Sequence, residues 1–141
     1  MKYRFIAFDI DGTLTDSEYA ILQSLQDTLT ALTGSSPSRE ELAPIALGLP
    51  GLDTLAQLQV PDIPAAFALW SENLWGLRNQ ITLFPGILEL LEELTRRGLV
   101  LGAVTSQTVE EYEGDFAHSP AAAHLSVLVR AGETERPKPS P

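Results

Sequence analysis

The chain has 141 residues, 44% hydrophobic and 20% charged, the proportions of one globular domain or of one domain carrying a small insertion. It contains no Cys, which excludes disulfides, thiolate metal sites and a cysteine nucleophile, and only two His, His118 and His124, too few for a multi-histidine zinc site. The balance of 19 acidic to 9 basic residues gives a net charge of −10, and no Lys/Arg cluster offers a groove for nucleic acid. No apolar run is long enough to span a membrane, and the N-terminus lacks the apolar stretch of a secretory signal, so a cytoplasmic setting is expected.

Tyr3–Phe8 is short, apolar and aromatic, and runs into the turn chemistry of Asp9-Ile-Asp-Gly12. It predicts a strand buried on both faces, of the parallel α/β kind. From Ser17 to Thr33 the residues Ala20, Ile21, Leu25, Leu29 and Leu32 recur at helical steps, and Gly34 stops the pattern. Asp16 or Ser17 is expected to cap that helix. Ser38 with Glu41 predicts a capping box and a helix toward Leu47. A break at Gly48–Gly51 precedes a short helix over Leu52–Leu58. Ile63–Asn79, with Phe67, Trp70, Leu74 and Leu77, predicts another helix. Residues 17–80 thus read as wholly helical, with Phe67, Trp70 and Trp75 as apolar core and contact residues.

Pro85-Gly86 leads into a helix carrying Ile87, Leu88, Leu90, Leu91 and Leu94, closed by Arg96, Arg97 and Gly98. Leu99–Val104 predicts a second strand, ending before Thr105-Ser106. Thr108–Phe116 predicts a helix, His118 and His124 fall in a small-residue loop, and Ser126–Val129 predicts a third strand. Three prolines in the last five residues make the end a loop. Alternating strands and helices imply an α/β fold with a three-layer parallel sheet. Residues 1–16 and 81–141 form its core, and 17–80 is an all-helical insertion.

Ligands of such sheets sit at the carboxyl ends of the strands. There the sequence places Asp9 and Asp11, then Thr105 and Ser106, and later Lys138. Two carboxylates two residues apart at the end of a buried strand are costly unless a cation or hydrogen-bond donors satisfy them. Gly12 allows a tight turn and close approach of a ligand. Mg²⁺ binds through carboxylates and substrate phosphate. One carboxylate can attack phosphorus while the other handles a proton. Each residue also has a local alternative: an Asx-type turn for Asp11-Gly12, a helix cap for Thr105, and a solvated loop position for Lys138. A calcium loop is disfavoured because its twelfth position, counted from Asp9, is Ala20.

Phe8-Asp-Ile-Asp-Gly-Thr-Leu14 resembles the first signature of the haloacid dehalogenase-like (HAD) phosphohydrolases. Val104-Thr-Ser106 resembles the second, and Lys138 before Pro139 the third. The helical stretch lies where the phosphoglycolate phosphatase and β-phosphoglucomutase-like branch inserts a cap, and Thr82–Gly86 resembles the return to the Rossmann-like core. The resemblance covers essentially the whole chain. It implies a Mg²⁺-dependent phosphatase with Asp9 as nucleophile and Asp11 as acid and base. Mg²⁺ would be held by the Asp9 side chain and the Asp11 carbonyl, Thr105 would hold phosphoryl oxygens, and Lys138 would neutralise charge. Gly12, Thr13, Ser106, Gln107 and Arg78 are expected to bind a small phosphorylated metabolite.

The family's fourth motif, acidic residues after a further strand, has no counterpart after Lys138, and Gly114-Asp115 is out of order. The expectation is therefore a truncated chain whose first strand is a sheet edge, open to self-association. A catalytically impaired remnant acting as a binding protein is the alternative function, and a sugar-phosphate mutase a further one. Asp11 disfavours a dehalogenase, and the absence of Lys from residues 17–80 disfavours phosphonate cleavage through an imine.

Overall fold

A computed structural model describes residues 2–136 and 138–140. In chain order the elements are β1 (Phe5–Phe8), β2 (Thr15–Asp16), α1 (Glu18–Thr33), α2 (Arg39–Ala46), α3 (Gly51–Gln57), α4 (Ile63–Gly76), β3 (Thr82–Leu83), α5 (Ile87–Arg96), β4 (Val100–Thr108), α6 (Val109–Gly114) and β5 (Val127–Ala131). Short 3-10 helices cover Arg78–Gln80, Phe116–His118 and Pro120–His124. His118 and His124 therefore end 3-10 turns instead of lying in an irregular loop, because Pro120 begins the second turn and Ser119 caps it. Two compact units result: residues up to 16 with 83–140, and residues 17–82. No helix among the described residues is long and apolar enough to cross a membrane.

The first unit is a mixed α/β structure on a parallel sheet of order β1-β4-β5. Ile6 and Phe8 of β1, Leu101 and Ala103 of β4 and Leu128 of β5 share one face by register. They pack with Leu91 of α5, Tyr112 of α6, Phe116, Ala121 and Leu125. The other face carries Phe5, Val100 and Val127, which are 47%, 46% and 44% exposed. This corrects the expectation that the first strand is buried on both faces. Among the described residues β1 is an edge strand, and the core cluster covers only one of its faces.

Close packing of the sheet rests on Gly102. A Cβ there would lie 2.8 Å from the Val127 carbonyl oxygen and 3.0 Å from the Phe5 ring. A glycine is needed because the obstructing atom is main chain and cannot swing away.

The helical unit follows local signals closely. Gly34 ends α1, and its N–H donates to the Thr30 carbonyl. Ser17 occupies the N-cap position but makes no capping bond, and its hydroxyl is buried without a partner among the described residues. The reciprocal Ser38–Glu41 box opens α2. Leu22, Leu25, Leu29, Leu42, Leu55 and Trp70 pack into one core. Two polar bridges cross it: Trp70 Nε1 donates to Ser24 Oγ at 2.9 Å, and Asn73 Nδ2 donates to Thr28 Oγ1 at 3.0 Å. Trp75, unlike Trp70, is 50% exposed.

α3 ends in a Schellman arrangement, with Val60 N–H donating to the Leu55 carbonyl and Gln59 N–H to that of Ala56. The left-handed position is held by Gln59, with φ 56°, where an L side chain is strained. Gln59→Gly is expected to raise stability by about 0.5–1 kcal/mol, the relief of strain being partly offset by a freer unfolded chain. Gly102→Ala is expected to lower it by about 1–3 kcal/mol through the clash with the Val127 carbonyl. Urea titration of both variants checks the two signs; a neutral Gly102→Ala would show that the sheet yields there.

Candidate active site

The loop after β1 is organised around one carbonyl. Ile10 O accepts Thr13 N–H at 3.2 Å, Leu14 N–H at 2.9 Å, Thr15 N–H at 3.1 Å and the Thr15 hydroxyl at 3.2 Å. Gly12, at φ 76°, makes the reversal and donates its N–H to Thr15 O at 2.9 Å. Ile10 and Leu14 are fully buried and pin the loop to the core. Asp9 and Asp11 flank Ile10, so burying Ile10 leaves both carboxylates available beyond the strand end. Gly12 and Thr13 form the exposed tip.

Asp9 Oδ1 accepts the Ile10 N–H at 2.9 Å and Lys138 Nζ at 2.8 Å. The side chains of Asp9 and Lys138 are 43% and 26% exposed, so this pair contributes little to stability, of order 1 kcal/mol or less. Its importance is placement: it brings a cation from 129 residues away onto the first strand's carboxylate. Asp9 Oδ2 has no hydrogen-bond partner among the described residues and faces no such restraint. The neighbouring Pro137 lies outside the described residues.

Thr105 and Ser106 do not follow the second strand, as expected, but lie within it. β4 runs to Thr108 because it bulges: Val104 pairs with Val129 and Thr108 with Ala131, so three residues of β4 oppose one of β5. Thr105 is buried, and its hydroxyl accepts the Gln107 N–H at 3.1 Å. Gln107 Nε2 donates to Asp11 Oδ2 at 2.9 Å. Ser106 Oγ and Gln107 Oε1 are buried with no hydrogen-bond partner among the described residues.

The bulge ends in a capping box that the sequence reading missed. Thr108 Oγ1 accepts the Glu111 N–H at 3.2 Å, and Glu111 Oε2 accepts the Thr108 N–H at 2.6 Å. The Thr-x-x-Glu spacing is its signature. The cap of α6 thus falls to Thr108 and leaves Thr105 to the site. Burial raises the Glu111 carboxyl above its ordinary range, the Thr108 bonds oppose this, and the charges of Asp11 and Glu110 add to the rise.

The first unit therefore brings together Asp9, Asp11, Gln107 and Lys138, with Thr105 and Ser106 on the same bulge and Gly12 and Thr13 in the loop. Arg78 belongs to the helical unit, where its guanidinium stacks 4.1 Å from the Trp75 ring centroid and donates to the Trp75 carbonyl. No group of three or more His, Asp or Glu among the described residues is arranged around a metal position. The donor set of Asp9 Oδ2 and the Asp11 main chain fits Mg²⁺, which commonly takes one or two carboxylates and fills its shell with water and phosphate oxygens.

The chain is 24% identical over 142 residues to the pyrophosphatase PpaX of Bacillus mycoides (strain KBAB4), covering 100% of this chain and 66% of that protein. A candidate phosphoglycolate phosphatase from Lactobacillus plantarum superposes with a TM-score of 0.85 at 30% identity, over 99% of this chain and 67% of that one. CbbY of Rhodobacter sphaeroides, solved with phosphate, superposes with a TM-score of 0.79 at 25% identity, over 98% and 68%. The chain thus spans about two thirds of the length of these three relatives. Residues 6–141 match the family of haloacid dehalogenase-like hydrolases, and the chain belongs to that family.

Proposed function

We propose that this chain carries the nucleophile, the acid/base group and the charge-neutralising lysine of a Mg²⁺-dependent phosphatase that cleaves a small phosphate monoester. The observation that carries the reading is the 2.8 Å contact of Lys138 with Asp9, made beside Asp11 at the carboxyl end of the first strand. Phosphoryl transfer depends mainly on positioning and charge stabilisation, and these residues supply both.

In this reading an Asp9 carboxylate oxygen attacks phosphorus and the ester P–O bond breaks. Asp11 gives its proton to the departing alkoxide, leaving an aspartyl-phosphate on Asp9. Water then attacks that phosphorus, Asp11 takes the proton, and the bond to Asp9 breaks to release phosphate. Lys138 stabilises charge on Asp9 and the phosphoryl group. Thr105, Ser106 and the N–H groups near Gly12 and Thr13 bind phosphoryl oxygens. Asp9 and the Asp11 carbonyl would hold Mg²⁺, which would supply positive charge to the same oxygens.

The helical unit, residues 17–80 in the sequence reading, would serve as the cap, and Arg78, one of its two arginines with Arg39, would meet an anionic substrate. Residues 1–16 and 81–141 are the catalytic core. The substrate class draws support from CbbY, whose structures hold phosphate and, in a mutant, xylulose-1,5-bisphosphate. A cytoplasmic setting suits a phosphorylated metabolite. Among the described residues β1 pairs on one side only, and Phe5 is exposed; self-association through that strand is the proposal these two features support.

Asp9→Asn is expected to abolish Mg²⁺-dependent hydrolysis of p-nitrophenyl phosphate and the trapping of phosphate on the protein, because an amide is a poor nucleophile. Asp11→Asn should still accept phosphate but lose about 10²–10⁴-fold in turnover. Lys138→Met should weaken phosphate binding and turnover together. Steady-state assays and mass spectrometry of the quenched protein check all three. Parent-like turnover in Asp9→Asn would remove Asp9 as nucleophile.

A further inference from the structure

Asp11 has to present its carboxylate to the leaving oxygen in a defined plane. Its main chain is fixed by buried Ile10 on one side and by the left-handed Gly12 on the other, but its side chain stands on a loop. The group that grips it comes from 96 residues away: Gln107 Nε2 donates to Asp11 Oδ2 at 2.9 Å. Gln107 is itself held. Its N–H is bonded to Thr105 Oγ1 at 3.1 Å, and the next residue, Thr108, is locked by the box with Glu111.

The bond also fixes which way the Gln107 amide faces. With Nε2 donating to Oδ2, the amide oxygen points away from Asp11, and Oδ2 can accept this bond both when Asp11 is ionised and when its proton sits on Oδ1. That oxygen is then buried with no partner among the described residues. An unpaired buried acceptor is unfavourable, and an apolar side chain of similar length would avoid it. Packing alone therefore does not account for an amide here. The bulge of β4 is what lets Gln107 reach, since it inserts two extra residues between the Val104–Val129 and Thr108–Ala131 pairs.

We propose that Gln107 is a positioning residue for Asp11: from the bulge of β4 it fixes the plane in which that carboxylate meets the leaving group. This rests on the phosphatase reading above. Gln107 then matters in proportion to how much the leaving group needs a proton, which is a different demand from binding substrate.

Two measurements on the chain test it. The first needs no turnover. The side-chain amide resonances of Gln107 should lie away from their free-amide positions and return toward them in Asp11→Ala. An unmoved amide signal shows that the contact does not form and overturns the proposal. The second compares two esters in the presence of Mg²⁺. Gln107→Leu should lower kcat/KM, which reports the steps up to expulsion of the leaving group, about 10–100-fold for n-propyl phosphate, whose alkoxide needs a proton. It should lower kcat/KM far less, by about threefold at most, for p-nitrophenyl phosphate, whose phenolate leaves with little help. Inhibition by inorganic phosphate should stay within about twofold of the parent.

Gln107→Met, more flexible in a tight space, replaces Gln107→Leu if the latter does not fold. Gln107→Glu keeps the length but cannot donate when ionised, and should show the same leaving-group dependence. An equal loss of kcat/KM on both esters, or a weakened inhibition by inorganic phosphate, assigns Gln107 to packing or to substrate binding and overturns the proposal. A chain that shows the amide contact yet hydrolyses neither ester overturns the phosphatase reading and this inference with it, whereas a missing contact with intact turnover overturns the inference alone.

Discussion

The structure is arranged around a pair of carboxylates, Asp9 and Asp11, placed where a strand leaves an apolar core. Such a pair is unfavourable there unless donors compensate it. The chain meets this from three directions: the Ile10 N–H and Lys138 on Asp9, and the Gln107 amide on Asp11. These donors come from the strand itself, from the end of the chain and from the middle strand. Each requires a different part of the fold to be in place, and the sheet order β1-β4-β5 is what brings them to one end.

The division of labour within the first loop is physical. Ile10 does two jobs: its side chain is buried, and its carbonyl collects four donors. The loop is therefore held mainly by main-chain bonds to Ile10, with Asp9 adding one local bond from the Ile10 N–H. In a simple Asx-type turn the Asp11 side chain would cap the turn it sits in. Here the turn is closed by the main chain and by Thr15, and Asp11 reaches across to Gln107.

The bulge of β4 matters for the same reason. A regular strand would carry Thr105, Ser106 and Gln107 alternately to opposite faces. The bulge instead buries Thr105 with its hydroxyl turned to its own chain, orphans the Ser106 hydroxyl and extends Gln107 to the neighbouring loop. A strand that bulges in this way is less regular, and the capping box at Thr108 restores order immediately after it. The open face of the sheet shows the opposite economy: Phe5, Val100 and Val127 stay exposed while Gly102 lets the strands approach.

Local signals were legible in the sequence because they act over three or four residues. The Ser38–Glu41 box, the stops at Gly34 and Gly98, and the helical spacing of Ala20, Leu25 and Leu29 depend only on near neighbours, whereas Leu32, read in the same series, is 45% exposed. Asp9-Ile-Asp-Gly12 was legible as a strand end followed by a turn, although its residues alone also allowed a simple Asx-type turn. The Thr108–Glu111 box carried the same kind of signal and was passed over. Three things needed the tertiary structure. Whether Phe5 is covered depends on what packs on the second face of the sheet, and the alternation within β1 does not say. That Thr105 and Ser106 lie inside β4 depends on its register with β5, which is set by pairing and not by propensity. The grip of Gln107 on Asp11 joins residues 96 apart, and no periodicity links them. By itself the sequence marked the candidate groups, because residue chemistry and short-range turns are local properties; only the folded chain decided which of them meet, because that follows from strand order, register and one bulge.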